Sequence, residues 1–331
     1  MSALSAEALL ALPPSVRARR ELLPLLHHAL ERDGRLGELT TEERALARRA
    51  YFSAMARVPF FREGIVNFLD DARAVDARPL LLKGAALAFT LYDDPATRPM
   101  ADLDIACDEA AIDRLTPRLV ARGYRRFGDG RARFALDHTH HAIFFHERAP
   151  TLELHVRLIH EMGVDGRMPG WDARAQLLPS AIGALPVPAM EDLLYHALVH
   201  AASHAFGDSA LWLIDTALLL ERAPESGNLL DNTARAQQAV AALHFACAIA
   251  RRAWPSLALP EVKTPHAAAL RRAILHAALG EDPLARAPGP WQSLLARLAL
   301  TDDAVALLRL LAVKLRLRAV ERFIEHTSER G

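Results

Sequence analysis

The stretch Asp102-Leu103-Asp104-Ile105 constrains this chain more than any other four residues. Carboxylate and aliphatic side chains alternate with a period of two. That pattern predicts a β-strand with Leu103 and Ile105 on a buried face and both aspartates on the other. A strand buries a face only inside a sheet, so partner strands must exist. Pro79-Leu80-Leu81-Leu82 is a short apolar run suited to a buried strand; it ends at Lys83-Gly84, and a short helix is expected from Ala85 to Leu91. Tyr124 to Phe127, Arg131 to Leu136, His141 to His146 and Leu152 to Val156 read as further strands, with Asp129-Gly130 as a hairpin signal. Between them, Glu109 to Arg122 reads as a helix closed by Gly123.

Both flanks have helical periodicity. Ser15 to Arg32 predicts one helix. Thr40 and Glu43 form a capping-box signature for a second that runs toward Asp70, with Pro59 as an expected break or kink. Residues 158–188, rich in Pro and Gly, are expected to be irregular. Helices are expected at about 190–206, 209–223, 232–251, 264–279, 288–299 and 302–326. The expected fold is α+β: a small mixed sheet over 78–188, a helical segment over 1–77 before it and a helical domain over 189–331 after it.

Composition narrows the function. Of 331 residues, 51% are hydrophobic, which supports a sizeable core. Forty basic residues balance forty acidic ones, so there is no net basic footprint of the kind duplex DNA or long RNA selects. Two cysteines, Cys107 and Cys247, make neither a disulfide framework nor a zinc site, and a reducing cytoplasm is the expected location. No targeting segment and no apolar run of spanning length are read in the chain. Only three of the 40 basic residues are lysines, Lys83, Lys263 and Lys314, so Lys83 at the glycine bend stands out against an arginine background.

Three features of the α+β segment carry chemistry. At Lys83-Gly84-Ala85 a buried strand turns into a helix; the glycine permits close approach of a ligand, and backbone N–H groups at a helix start suit an anionic phosphate. Asp102 and Asp104 share a strand face about 6–7 Å apart, a spacing at which they can hold divalent ions about 3.5–4 Å from each other. Oxygen ligands favour Mg2+ or Mn2+. In Leu152-Glu153-Leu154-His155, Glu153 and His155 share one face. If this strand neighbours the aspartate strand, Glu153 becomes a third carboxylate, as metal ligand, general base or both. Bound metal then supplies the charge that relieves the crowded acids.

The run Leu81-Leu82-Lys83-Gly84-Ala85-Ala86-Leu87, then Tyr92, Asp94-Pro95, Arg98-Pro99-Met100-Ala101-Asp102-Leu103-Asp104, Gly123-Tyr124 and Glu153-Leu154-His155 resembles a bacterial family of uncharacterised nucleotidyltransferases, a branch of the polymerase β-like superfamily. The resemblance covers roughly residues 40–225. It implies a nucleotidyltransferase core and transfer of a nucleoside monophosphate from an NTP co-substrate to an acceptor hydroxyl. Asp102, Asp104 and Glu153 would be its catalytic and metal-binding residues, and Lys83, Gly84, Ala85 and Arg98 would meet the nucleotide. The wider superfamily usually has Gly-Ser or Gly-Gly at the first motif; here Ala85 follows Gly84, which transfers part of the phosphate grip to Lys83 and the backbone. Zero net charge points to a small molecule or a peptide or protein side chain as acceptor. A nucleotide-sugar donor and a non-catalytic nucleotide-binding scaffold are the competing readings.

Nine of the 15 histidines fall between residues 138 and 204. His138, His140 and His141 precede a strand, and His196, His200 and His204 recur every four residues on one helix face. His160-Glu161 lacks the second histidine of a zinc-binding helix motif. His141, His155 and His200 are therefore read as structural or pocket-lining groups, with Asp215 as a further pocket residue. The helix expected over 302–326 is basic and amphipathic, and its apolar stripe is expected to pack on the domain.

Overall fold

The computed structural model describes residues 4–127, 141–158 and 170–303, together with 305, 308 and 312. The strand expected at 131–136, the turn at 129–130, His138, His140, His160, Glu161 and nearly all of the helix expected over 302–326 lie outside the described residues.

The N-terminal segment holds α1 (Ala6–Leu10), α2 (Pro14–Arg17), α3 (Leu23–Arg32) and α4 (Thr41–Ala74). The single helix expected over 15–32 is broken: a 3-10 turn at Arg20–Leu22 separates α2 from α3. Pro24 explains the break. It has no N–H to give to a helix interior, but it suits the first turn of α3, where it lies. The capping box is formed. Thr40 Oγ1 accepts from the Glu43 N–H at 3.2 Å, and the Thr40 N–H donates to Glu43 Oε2 at 2.9 Å. Contrary to expectation, Pro59 does not end α4. The buried positions Phe61, Ile65, Phe68 and Ala72 hold the second half against the sheet and against α6 (Glu109–Ala121), and that burial outweighs one missing backbone hydrogen bond.

The sheet contains β1 (Leu80–Leu81), β2 (Leu103–Ala106), β3 (Arg125–Arg126), β4 (His141–Phe145) and β5 (Leu152–His155), in the spatial order β1-β2-β5-β4-β3. β2 and β5 are parallel, and the other pairs are antiparallel. After β1 comes the short helix α5 (Lys83–Leu87), two residues earlier than expected. The stretch expected to be irregular contains α7 (Trp171–Arg174) and a hairpin of β6 (Gln176–Leu178) and β7 (Leu185–Val187). Leu185 and Val187 are buried, and β7 lies against β1. These strands are three residues long, too short for a period to stand out among Pro and Gly.

Six helices follow among the described residues: α8 (Met190–Ser203), α9 (Leu211–Arg222), α10 (Gly227–Ala236), α11 (Val240–Ala253), α12 (Ala268–Leu279) and α13 (Pro290–Leu300). The helix expected over 232–251 is two helices. Gln238 adopts φ +54°, which interrupts helical geometry, and the Asp302 carboxylate accepts from the N–H groups of Val240 and Ala241 at 2.6 and 3.1 Å, capping α11 from 62 residues away. No helix among the described residues is long and apolar enough to cross a membrane.

Gly64 lets α4 lie close to the sheet. A Cβ built there would stand 2.7 Å from Pro150 Cγ and 3.2 Å from Leu103 Cδ1. Gly64→Ala should therefore destabilise the protein by about 1–3 kcal/mol through overpacking, despite alanine's better helix propensity. Urea unfolding of the variant measures it, and an unchanged midpoint would mean that α4 is free to shift.

Candidate active site

The register of β2 against β5 builds the site. Asp104 lies opposite Glu153, and Ala106 opposite His155. Asp104, Glu153 and His155 thus share one face of two adjacent strands. Their donor atoms lie within 4.8 Å of one another. Asp104 Oδ1 is 2.9 Å from His155 Nε2, and Glu153 Oε2 is 3.6 Å from the same nitrogen. Lys83 reaches over from the bend and donates from Nζ to Asp104 Oδ1 at 2.9 Å. An ionised carboxylate only accepts, so in this state Nε2 is the protonated nitrogen of His155.

The charges follow from this packing. Burial opposes ionisation of Asp104, but the Lys83 ammonium and the His155 hydrogen bond outweigh it and hold the carboxyl well below the usual range. Burial likewise opposes the Lys83 charge, and Asp104 more than compensates, so the ammonium is held more firmly than usual. Asp102 and Glu153 are shifted upward, first by burial and then by the Asp104 charge. Two carboxyls of raised proton affinity therefore flank one that is firmly ionised.

A cavity of about 600 Å³ opens beside Lys83, Asp102 and Asp104; Glu153 and His155 are not among its lining residues. Lys83, Gly84, Asp102 and Asp104 form its floor. Ser53 and Arg57 of α4 and Arg20 of the N-terminal turn form one wall; His196 and His200 of α8 and Trp212 of α9 form another. Gly84 lines the cavity and also permits a close approach within the chain. A Cβ there would stand 2.5 Å from Met100 Cγ and 2.6 Å from Arg98 Nη1, so the glycine makes room for the segment leading into β2. Lys83 adopts φ +44°, a left-handed backbone uncommon outside glycine, and this turn sends its side chain to Asp104.

Other expected residues sit as follows. Asp102 lines the cavity but lies outside the group of three converging donors, and His155, read from the sequence as a pocket residue, lies inside it. Ala85 is fully buried and does not line the cavity. Arg98 is buried, with Nε and Nη2 bound bidentately to Asp215 at 2.8 and 2.7 Å; Tyr92 Oη donates to the same carboxylate at 2.7 Å. The guanidinium fork expected on a phosphate thus ties α9 to the segment beneath Gly84. His141 lies against His155, ring centroids 5.1 Å apart and tilted by 49°. His196 and His200 are neutral at pH 7: burial, then the nearby Lys83 charge, pushes His196 down to about 3 and His200 well below its ordinary value. Arg20, Arg57 and His196 were not singled out as site residues by sequence reasoning. For His196 a signal existed in its four-residue spacing from His200; for the arginines there was none, because arginine is common throughout this chain.

Converging carboxylates on a parallel strand pair, beside a strand–Gly–helix bend and a cavity of nucleotide size, are the features of a nucleotidyl-transfer site. A family model described as "Uncharacterised nucleotidyltransferase" matches residues 15–255, and the chain belongs to that family. It is accordingly a transferase. The comparisons find no match among curated proteins or solved structures.

Two measurements test the site's physics. Asp215→Ala leaves the buried Arg98 charge unpaired and should cost about 3–5 kcal/mol of stability, read by denaturant unfolding; a loss below 1 kcal/mol would show that Arg98 finds water or another partner. His196 binds its proton in the unfolded chain near pH 6.5 and in the folded chain only near 3. Stability is therefore complete above 6.5 and falls as the pH drops below it. In that window His196→Gln should have a slope shallower than the parent's by about 1.4 kcal/mol per pH unit. Parallel slopes in the two proteins would remove His196 from the buried neutral set.

Proposed function

We propose that the protein transfers a nucleoside monophosphate from an NTP to a hydroxyl of a small molecule or of a peptide or protein side chain, in a reaction that depends on Mg2+ or Mn2+. The observation that carries this reading is the facing of Asp104 and Glu153 across β2 and β5, beside Lys83 and the cavity. Two carboxylates and an imidazole within 4.8 Å form a donor set that fits one divalent ion, and Asp102 lines the adjoining cavity outside that set. Such an ion, held by Asp104, Glu153 and His155, would supply charge neutralisation at the reacting phosphate.

The remaining roles belong to the chain itself. Glu153 is partly exposed and has a raised proton affinity, so it suits removal of the proton from the acceptor hydroxyl. Lys83 and the cavity-facing Arg20 and Arg57 supply positive charge toward a triphosphate. His196 and His200 contribute neutral, stackable surface to the wall, and Trp212 a flat aromatic one. The α9 tie through Arg98 and Asp215 fixes the wall relative to the bend, so that bound groups are oriented before reaction.

Incubation with α-labelled NTPs, Mg2+ or Mn2+ and candidate alcohols should label the acceptor. Asp104→Asn, its fold checked by circular dichroism, should lower the rate by at least about a hundredfold. Full activity in that variant would overturn the assignment. A parallel melting-temperature screen separates donors. Stabilisation by NTPs supports this reading, and stabilisation by nucleotide-sugars alone replaces it with glycosyl transfer at the same site.

A further inference from the structure

The cation nearest to Asp104 in the folded chain is one of its own side chains. Lys83 Nζ lies 2.9 Å from Asp104 Oδ1, the oxygen that His155 Nε2 also meets at 2.9 Å. The Asp104 side chain is 7% exposed and that of Lys83 27%, so little water competes with the pair. The contact is made through a left-handed backbone at Lys83, a conformation unfavourable for a residue other than glycine and retained here next to a glycine that does not adopt it. Lys83 also lines the cavity, so its ammonium has somewhere to go when it leaves Asp104.

We propose that Lys83 is a tethered counter-ion that holds the Asp104 position in the metal-free protein and must be displaced before a divalent ion can bind there. This rests on the reading of Asp104, Glu153 and His155 as a metal centre. Two positive charges cannot share one carboxylate oxygen at contact distance without mutual repulsion. Metal alone is therefore taken up weakly. A nucleotide triphosphate changes the balance, because its phosphates offer the displaced ammonium a new partner in the same cavity. The bend thus couples metal loading to the arrival of nucleotide, and the chain takes both together rather than metal first. The consequence runs against ordinary expectation for a lysine in a site: removing it should improve metal binding.

The test uses Mn2+ alone, without nucleotide, on the full chain. Free Mn2+ is followed by electron paramagnetic resonance for the parent, Lys83→Met, Lys83→Gln and the double variant Lys83→Met with Asp104→Asn. Lys83→Met keeps the apolar stem and loses the charge, and Lys83→Gln guards against a packing failure in the first variant. Both should bind Mn2+ about tenfold or more tightly than the parent, and the double variant should lose that gain. Equal or weaker binding in both single variants overturns the proposal, as does a gain that survives loss of Asp104. The metal reading is judged separately, by label transfer in Asp104→Asn. If that variant is inactive while the Lys83 variants bind Mn2+ no better than the parent, the function stands and only the counter-ion role falls.

Discussion

Parallel pairing of β2 with β5 sets Asp104 across from Glu153, and a side-chain period of two then brings His155 to the same face. A slip of one residue would send Asp104 into the apolar layer and Leu103 toward the cavity. What prevents the slip is the opposite face: Leu103, Ile105, Leu152 and Leu154 are fully buried, and α4 packs on β2 with Leu103 close to Gly64. Hydrophobic packing on one side of the sheet therefore fixes the electrostatics on the other. Antiparallel β1 on the far side of β2 leads through Leu82 to Lys83 at the start of α5, so the lysine arrives at the same oxygen from an independent direction.

Much of this was legible in the residues. The alternation over 102–105 and 152–155 identifies both strands and their polar faces, since a period of two needs only four residues to be visible. The match over residues 15–255 reaches further toward both ends than the resemblance read from the motifs, which stopped near 40 and 225. The capping box at Thr40 was equally plain, because its geometry is local.

What could not be read depends on contacts between distant segments. Arg98 lines the cavity, and its ion-pair partner Asp215 becomes visible only when α9 is placed. A signal existed: Asp215 interrupts the apolar run from Leu211 to Leu220, and a carboxylate buried in such a helix requires a donor. The sequence does not say which donor. Likewise, nothing local to β5 says that His155 Nε2 comes within 2.9 Å of Asp104; that follows only once β5 pairs with β2. The β6–β7 hairpin and the split between α10 and α11 escaped because each rests on a tertiary contact, a buried edge in one and the distant Asp302 cap in the other.

The buried cluster of Tyr92, Arg98 and Asp215 also bears on how the chain is made. Arg98 and its counter-ion are separated by 117 residues. During synthesis the guanidinium emerges long before the carboxylate that will neutralise it, and until then it has every reason to stay hydrated. The segment that leads into β2 therefore cannot complete its buried ion pair until α9 has been made. The surroundings of Gly84 thus depend on a contact that only the later, helical part of the chain supplies.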